Sequence, residues 1–289
     1  MRLCTRCGAR FSGPSWTCPI CRTSAPELHG FVDLCSIPPG FDPCSAVNPV
    51  VLGDIEEKHF WFSARAALIG RLIERFFPNA CSLLEVGCGT GYVLGMIAQR
   101  MPTLRIVGGD LSAACLEKAR RRLPHGQFYR MSAEELPFED EFDLVCAFDV
   151  LEHVEDDQRA LAGMRQAVRC GGHLVITVPQ HPFLWSPHDV QSGHRRRYTR
   201  RLLCQRVSGA GWRVTYVTSF VSLLLIPMIV SRLLTKRRAD DVLGAELEIN
   251  GTVNAACGWF MRREVSLIES GIRFPMGGSI LLVATAARR

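Results

Sequence analysis

Two hydrophobic periods alternate along most of this chain. Leu83-Leu84-Glu85-Val86 is a short apolar run that ends in glycines, and Tyr92 to Arg100 then carries Val93, Met96 and Ile97 on one helical face. Arg105 to Asp110 reads as a second strand. Ala113 to Arg122 reads as a basic-faced helix opened by Ser112 as N-cap. Gln127–Met131 and Phe142–Phe148 are predicted strands, and Asp156–Val168 a helix closed by Cys170-Gly171-Gly172. His173–Val178 (strand), Arg200–Ser208 (helix, started by Thr199), Arg213–Val217 (strand) and Ser279–Ala286 (strand) complete the series. Strand–helix alternation of this kind predicts an α/β fold with a mainly parallel sheet covered on both faces. Ligands in such sheets sit beyond the carboxyl ends of the strands.

Regions outside that pattern divide the chain further. Residues 1–25 carry two cysteine pairs; residues 26–54, rich in proline and small residues, read as a linker; residues 55–289 form the α/β domain. About sixty residues, 219–278, interrupt the pattern before the last strand. Within them Phe220–Val230 is nearly all aliphatic, yet Pro227 breaks it and it is too short to span a bilayer. The expected reading is a helix packed in the core or capping an apolar cavity. A helix lying on a membrane, with Arg232, Lys236, Arg237 and Arg238 at its edge, is the alternative over 220–238.

A net charge of +6 over 289 residues is too modest to imply nucleic acid as a partner. Thirteen cysteines, an odd and scattered set, argue against a disulfide framework and for a reducing compartment. No apolar core of a signal peptide follows Met1, so a cytoplasmic protein is expected. Cys4-x2-Cys7 and Cys18-x2-Cys21, with Gly8 and Pro19 at the knuckle turns, suit tetrahedral zinc. A unit of this size depends on its metal to fold. Redox use would leave the second pair without a role.

The first strand runs straight into Gly87-x-Gly89-x-Gly91 and a helix. Glycines there permit a tight turn and let a ligand approach the backbone amides. Asp110 ends the second strand, where a carboxylate can accept both hydroxyls of a ribose. Leu83 to Gly91 resembles the first motif of class I S-adenosylmethionine-dependent methyltransferases. Asp149-Val150-Leu151-Glu152-His153-Val154 resembles a later segment of the ubiquinone-type branch of that family, and Gly171–Ile176 its approach to the fifth strand. The resemblance implies a Rossmann-like seven-stranded sheet with helices on both faces, with the zinc-ribbon-like unit and a helical insertion added. It also implies S-adenosylmethionine as cofactor. Glu85, Gly87, Cys88, Gly89 and Gly91 would surround its methionine part and ribose, Asp110 and Leu111 its ribose and adenine, Ser132 and Ala133 its adenine. Asp149 and Val150 would face the sulfonium. Many relatives have Asp where Ser132 stands. By analogy with a pre-helix in some members, Arg65 would pair with the cofactor carboxylate and Trp61 would cover the sulfonium end; an amphipathic helix with core aromatics and a solvated arginine is the other reading.

The acceptor side rests on the loops after the fourth and fifth strands. Methyl transfer is a displacement governed by alignment, and a base is needed only where the acceptor must lose a proton. His153, His181, His194 and Tyr198 are the candidates, against a structural role for His153. Arg195, Arg196 and Arg197 either read an anionic substrate or start a solvated helix. The apolar insertion favours a small, lipophilic or natural-product-like acceptor. An RNA methyltransferase gripping substrate through the zinc unit is second, since that unit lacks interleaved lysines and aromatics. A non-catalytic methyltransferase-fold protein is third.

Overall fold

The computed structural model describes residues 1–13, 15–38, 49–235 and 249–287. Strands β1 (Arg2–Leu3) and β2 (Arg10–Phe11) pair with each other beside the cysteines, and β3 (Glu27–Leu28) and β4 (Phe31–Asp33) form a second small hairpin. Helices α1 (Pro49–Lys58) and α2 (Phe60–Phe76) follow. The alternating body then runs through β5 (Ser82–Val86), α3 (Tyr92–Arg100), β6 (Arg105–Asp110), α4 (Ala113–Arg122), β7 (Gln127–Arg130), β8 (Phe142–Phe148), α5 (Asp157–Ala167) and β9 (Val168–Pro179). It ends with α6 (Pro187–Gln191), α7 (Arg200–Gly209), β10 (Trp212–Phe220), α8 (Leu225–Thr235), α9 (Gly251–Glu269) and β11 (Ser279–Ala286).

The large sheet has the order β10-β11-β9-β8-β5-β6-β7-β4-β3. Strands β5 to β9 are mutually parallel, while β11 runs antiparallel between β9 and β10. The first seven of these strands are the expected sheet. Because β6 lies on one side of β5 and β8 on the other, the winding reverses at β5, which opens a crevice beyond its carboxyl end. Successive side chains point to opposite faces. Leu84, Val86, Val145 and Ile176 therefore enter one core under α5 and α7, and Leu83, Leu144, Cys146 and Val175 another under α2 and α3.

The last two strands of the sheet correct the reading of 26–54 as an irregular linker. β4 pairs parallel with β7, so residues 27–33 extend the sheet. The reason is a buried ion pair: Arg130 Nη1 lies 2.9 and 3.0 Å from the two Asp33 oxygens, and its Nη2 donates to the Ile37 and Pro38 carbonyls. The linker residues 39–48 lie outside the described residues. The cysteine unit also docks on this edge. Leu3 N donates to Pro137 O, and Trp16 packs edge-on against Tyr129 and Phe138.

Three further expectations change. Cys170-Gly171-Gly172 does not close a helix but lies inside β9, where Gly171 (φ +76°) sits in a bulge; Phe142 pairs with Val168 and Leu144 with His173. β10 continues to Phe220, so the insertion starts later than residue 219. The aliphatic stretch is not a core helix: α8 and the residues before it leave Leu223, Ile226 and Val230 exposed. Lys236, Arg237 and Arg238 lie outside the described residues. Among the described residues no helix is long and apolar enough to cross a membrane. α9 instead packs on α2, burying Met261, Val265 and Ile268.

Candidate cofactor and acceptor site

Apolar β5 delivers its chain into the crevice, and the three glycines that follow all take positive φ. At Gly87 (φ +69°) a β-carbon would stand 2.5 Å from Val150 Cγ2, so the turn from β5 and the turn from β8 touch through a missing side chain. At Gly89 (φ +52°) the same test meets nothing within 4 Å, which leaves open space beside the backbone. The amides of Gly87 and Cys88 donate to Gly109 O at 2.7 and 2.9 Å, locking the turn to β6.

Asp110 holds the next part of the rim. Its Oδ2 accepts from Gly89 N at 2.8 Å and its Oδ1 from Ser112 N at 2.9 Å, while Ser112 Oγ caps α4 through Cys115 N. Leu111 O accepts from Arg130 Nε, which ties the end of β6 to the ion pair with Asp33. Ser132 is buried, with Oγ accepting from Glu134 N, and Ala133 is partly buried beside it.

At the foot of the glycine turn, Glu85 is a group that the fold leaves unsatisfied. It is buried, its Oε2 has no hydrogen-bond partner, and burial pushes its carboxyl well up against the opposing pull of Arg65. A buried carboxylate oxygen without a donor is costly. A cationic or hydroxyl-bearing ligand over the glycine turn would satisfy it. The donor set thus fits the amine and ribose of S-adenosylmethionine.

The neighbouring wall, expected to face a sulfonium, is built from β8 and α2. Asp149 sits in the left-handed region (φ +57°) with its amide on Thr177 O. Arg65 Nε lies 2.6 Å from Asp149 Oδ2, an ion pair too bent for a hydrogen bond, and Arg65 Nη2 donates to Phe148 O. The guanidinium stands 5.1 Å from the Trp61 ring. Arg65 is therefore buried and paired within the chain, not solvated, and Val150 is partly buried at the Gly87 contact.

Beyond β8 and β9, His153 and His194 stand with ring centroids 4.8 Å apart. His194 Nδ1 is 2.8 Å from Asp189 Oδ1, and Arg197 grips both oxygens of the same fully buried carboxylate at 2.7 and 3.0 Å. These contacts hold Asp189 far below the usual carboxylate range. Burial, with the neighbouring His194, lowers His153 to about 4. His181 (φ +64°) begins the loop after β9 with its ring tilted against Phe183.

Tyr198 is not placed for catalysis. Fully buried, it donates to Leu151 O at 3.1 Å and to Asp157 at 2.9 Å, and burial pushes its phenol up. It fixes the turn after β8 in place. Nor are the three arginines free for an anionic substrate: Arg195 pairs with Glu155, Arg196 with Asp157 and Arg197 with Asp189. Thr199 does cap α7 through Leu202 N.

Sequence reasoning missed two supports. Glu56 of α1 accepts from Thr90 Oγ1 and from Arg122, closing α1 over the glycine turn. Asn254 of α9 accepts from Phe60 N and donates to Lys58 O, fixing the break between α1 and α2. Neither has a local signal, since each pairs across more than thirty residues of sequence.

At the N-terminus the four Sγ atoms lie within 4.8 Å of one another, with Cys4–Cys21 at 3.6 Å and Cys7–Cys18 at 3.7 Å. Tetrahedral zinc with sulfur at about 2.3 Å requires Sγ separations of roughly 3.8 Å. Backbone amides point at the sulfurs, from Arg6 and Cys7 towards Cys4, and from Thr23 towards Cys21. This donor set fits a zinc ion.

A model of a methyltransferase domain matches residues 84–176. A 37.1 kDa protein of a Streptomyces fradiae transposon is 32% identical over 60% of this chain and 53% of its own length. The trans-aconitate 2-methyltransferase of Variovorax paradoxus is 34% identical over 36% of this chain and 40% of its own length. The chain spans about half the length of the curated relatives it matches. Among solved structures, an S-adenosylmethionine-dependent methyltransferase of Thermotoga maritima aligns over 85% of this chain and 100% of its own, at TM-score 0.53 and 17% identity. A chain of the Haloferax volcanii complex between a methyltransferase and the Trm112 methyltransferase activator aligns over 83% of this chain and 95% of its own, at TM-score 0.53 and 18% identity. Residues 84–176 therefore carry a methyltransferase domain, and the whole fold aligns with that of S-adenosylmethionine-dependent methyltransferases.

Proposed function

We propose that this chain transfers a methyl group from S-adenosylmethionine to a small, lipophilic acceptor that enters over the loops after β8 and β9. The observation that carries the reading is the unpartnered oxygen of buried Glu85 at the foot of the glycine turn. When bound, the cofactor supplies an electrophilic methyl on its sulfonium. Glu85 accepts from the ammonium group, Asp110 from the ribose, and the Gly89 opening admits the chain between them. Arg65 and Trp61 line the sulfonium end from α2, and Asp149 and Val150 from β8. Ser132 and Ala133 flank the adenine. Alignment supplies most of the rate in such a displacement. Where the acceptor loses a proton, His153 and His194 stand nearest to that role, and His181 opens the neighbouring loop.

Exposed Leu223, Ile226 and Val230 on the insertion support an apolar acceptor, or an apolar surface that presents it. We assign structural zinc to Cys4, Cys7, Cys18 and Cys21 in a unit spanning residues 1–25, beside a methyltransferase domain from residue 55 onward. The cysteine unit buries Trp16 against the domain, which supports an architectural role over an RNA grip.

Calorimetric titration with S-adenosylhomocysteine tests the cofactor; one site per chain is expected, and absence of binding sinks the reading. Incubation of cell extract with methyl-labelled S-adenosylmethionine tests the acceptor. Label is expected in the organic-soluble small-molecule fraction. Label in RNA alone would replace the acceptor, and cofactor binding without transfer to any fraction would replace the enzyme with a binding protein.

A further inference from the structure

Helix α1 lies over the glycine turn without an apolar anchor: among the described residues, none of its side chains belongs to either core. Polar ties hold it instead. Towards the crevice, Glu56 accepts from Thr90 Oγ1 and from Arg122, and Arg122 also donates to Gly53 O at 3.3 Å. Thr90 is itself buried between Gly89 and Gly91, so these ties join α1 to the turn that shapes the crevice. At its other end α1 stops at Lys58, His59 takes an extended conformation (φ −84°, ψ 131°), and α2 begins at Phe60. Such a break leaves the last carbonyls of one helix and the first amides of the next without partners.

One side chain of the insertion meets both needs. Asn254 Oδ1 accepts from Phe60 N at 2.9 Å, and Asn254 Nδ2 donates to Lys58 O at 2.9 Å. A carboxamide carries an acceptor and a donor on one planar group, whereas an aspartate of the same size has no donor when ionised. The group is also held from behind. Asn254 N donates to the carbonyl of Asn250, the N-cap of α9, and a β-carbon at Gly258, one turn on, would stand 3.5 Å from Phe60 Cβ. We propose that Asn254 is a positioning residue for the cofactor: through this carboxamide the insertion sets the angle between α1 and α2 and holds α1 on the glycine turn.

On the proposed reading, both helices at the break bear on the same ligand. α1 reaches Thr90 through Glu56, and α2 carries Arg65 and Trp61 beside Asp149. Asn254 belongs to neither group and acts only through the backbone between them. The insertion thereby serves the cofactor as well as the acceptor. Coupling of this kind is reciprocal. A ligand that draws α1 onto the turn also steadies the first turns of α9, although the proposed cofactor site includes no residue of that helix. The positioning role rests on the cofactor reading; the tie between α9 and the break does not.

Calorimetric titration with S-adenosylhomocysteine compares the full chain with Asn254→Ala and Asn254→Asp, and urea unfolding of the same samples reports their stability. Affinity weaker by about fivefold or more is expected in both variants. Aspartate keeps the size and the acceptor, so a role of bulk alone would leave Asn254→Asp unchanged. Ser266→Ala, at an exposed position towards the far end of α9, is expected to bind as the parent does. Combining Asn254→Ala with Glu56→Gln separates positioning from plain stability. Both act through α1, so the double variant is expected to bind no more weakly than the weaker single one. Hydrogen exchange gives a second readout: S-adenosylhomocysteine is expected to slow exchange over residues 251–257 in the parent and not in Asn254→Ala. Full affinity in the folded variants, losses that multiply in the double variant, or no such slowing in the parent overturns the inference while the cofactor reading stands. A parent that binds no homocysteine overturns both. Should Asn254→Ala fail to fold, Asn254→Asp carries the test.

Discussion

At the scale of single residues, the crevice is shaped by what is missing as much as by what is present. Gly87→Ala would add a β-carbon to a left-handed residue 2.5 Å from Val150 Cγ2. Strain of about 1–2 kcal/mol and overpacking of about 1–3 kcal/mol act together, so urea unfolding is expected to show a loss of at least 1 kcal/mol. An unchanged midpoint would mean that the two turns can separate. Asp110 holds the Gly89 amide and, on the proposed reading, would also accept from the ribose. Asp110→Ala is expected to weaken S-adenosylhomocysteine at least tenfold by calorimetry, since a charge-assisted contact contributes about 1.5–3 kcal/mol. Glu85, Asp110 and the glycines were legible in the sequence because each stands within a few residues of a strand end. Tyr198 was misread: a tyrosine on a ligand-edge loop looks catalytic until Leu151 O and Asp157 are seen to take its hydroxyl.

At the scale of elements, the strands and helices from β5 to β10 follow from periodicity with ends shifted by a few residues, except α6, which lies in a segment read as a long loop. α8 did not. Its aliphatic composition matches a core helix, yet among the described residues none covers Ile226 and Val230, or Leu223 just before it. The chain entering it is held by Glu264 of α9, whose carboxylate accepts from Ser222 N and Leu223 N. Burial raises the Glu264 carboxyl against the pull of those amides. With its folded pKa above the unfolded value, the folded state binds the extra proton. The contribution of Glu264 is thus fully present below about pH 4.5 and falls as pH rises through the folded pKa. Urea unfolding from pH 4 to 7 is expected to show this slope flattened in Glu264→Gln; an identical slope in the variant would count against it.

At the scale of the whole molecule, the N-terminal unit and the sheet act as one body. Trp16 packs on Tyr129 and Phe138, Asp33 fixes Arg130, and Arg130 reaches the carbonyl of Leu111 at the end of β6. Breaking a buried pair leaves an uncompensated charge costing about 3–5 kcal/mol. Cys18→Ser removes a proposed zinc ligand of the unit that carries Trp16, and is expected to lower the thermal midpoint of the entire domain in a single transition and to weaken S-adenosylhomocysteine. Two separate transitions, with the cofactor unaffected, would make the unit an independent appendage. The sequence alone determined the alternating strands and helices, the glycine turn with its acidic partners, and the cysteine spacing, because each depends on neighbours a few positions apart. Only the tertiary structure decided that residues 27–33 join the sheet, that the loop arginines are spent on internal carboxylates, and that Asn254 meets the break between α1 and α2. Those outcomes depend on burial and on pairings between distant segments, and local periodicity carries no record of either.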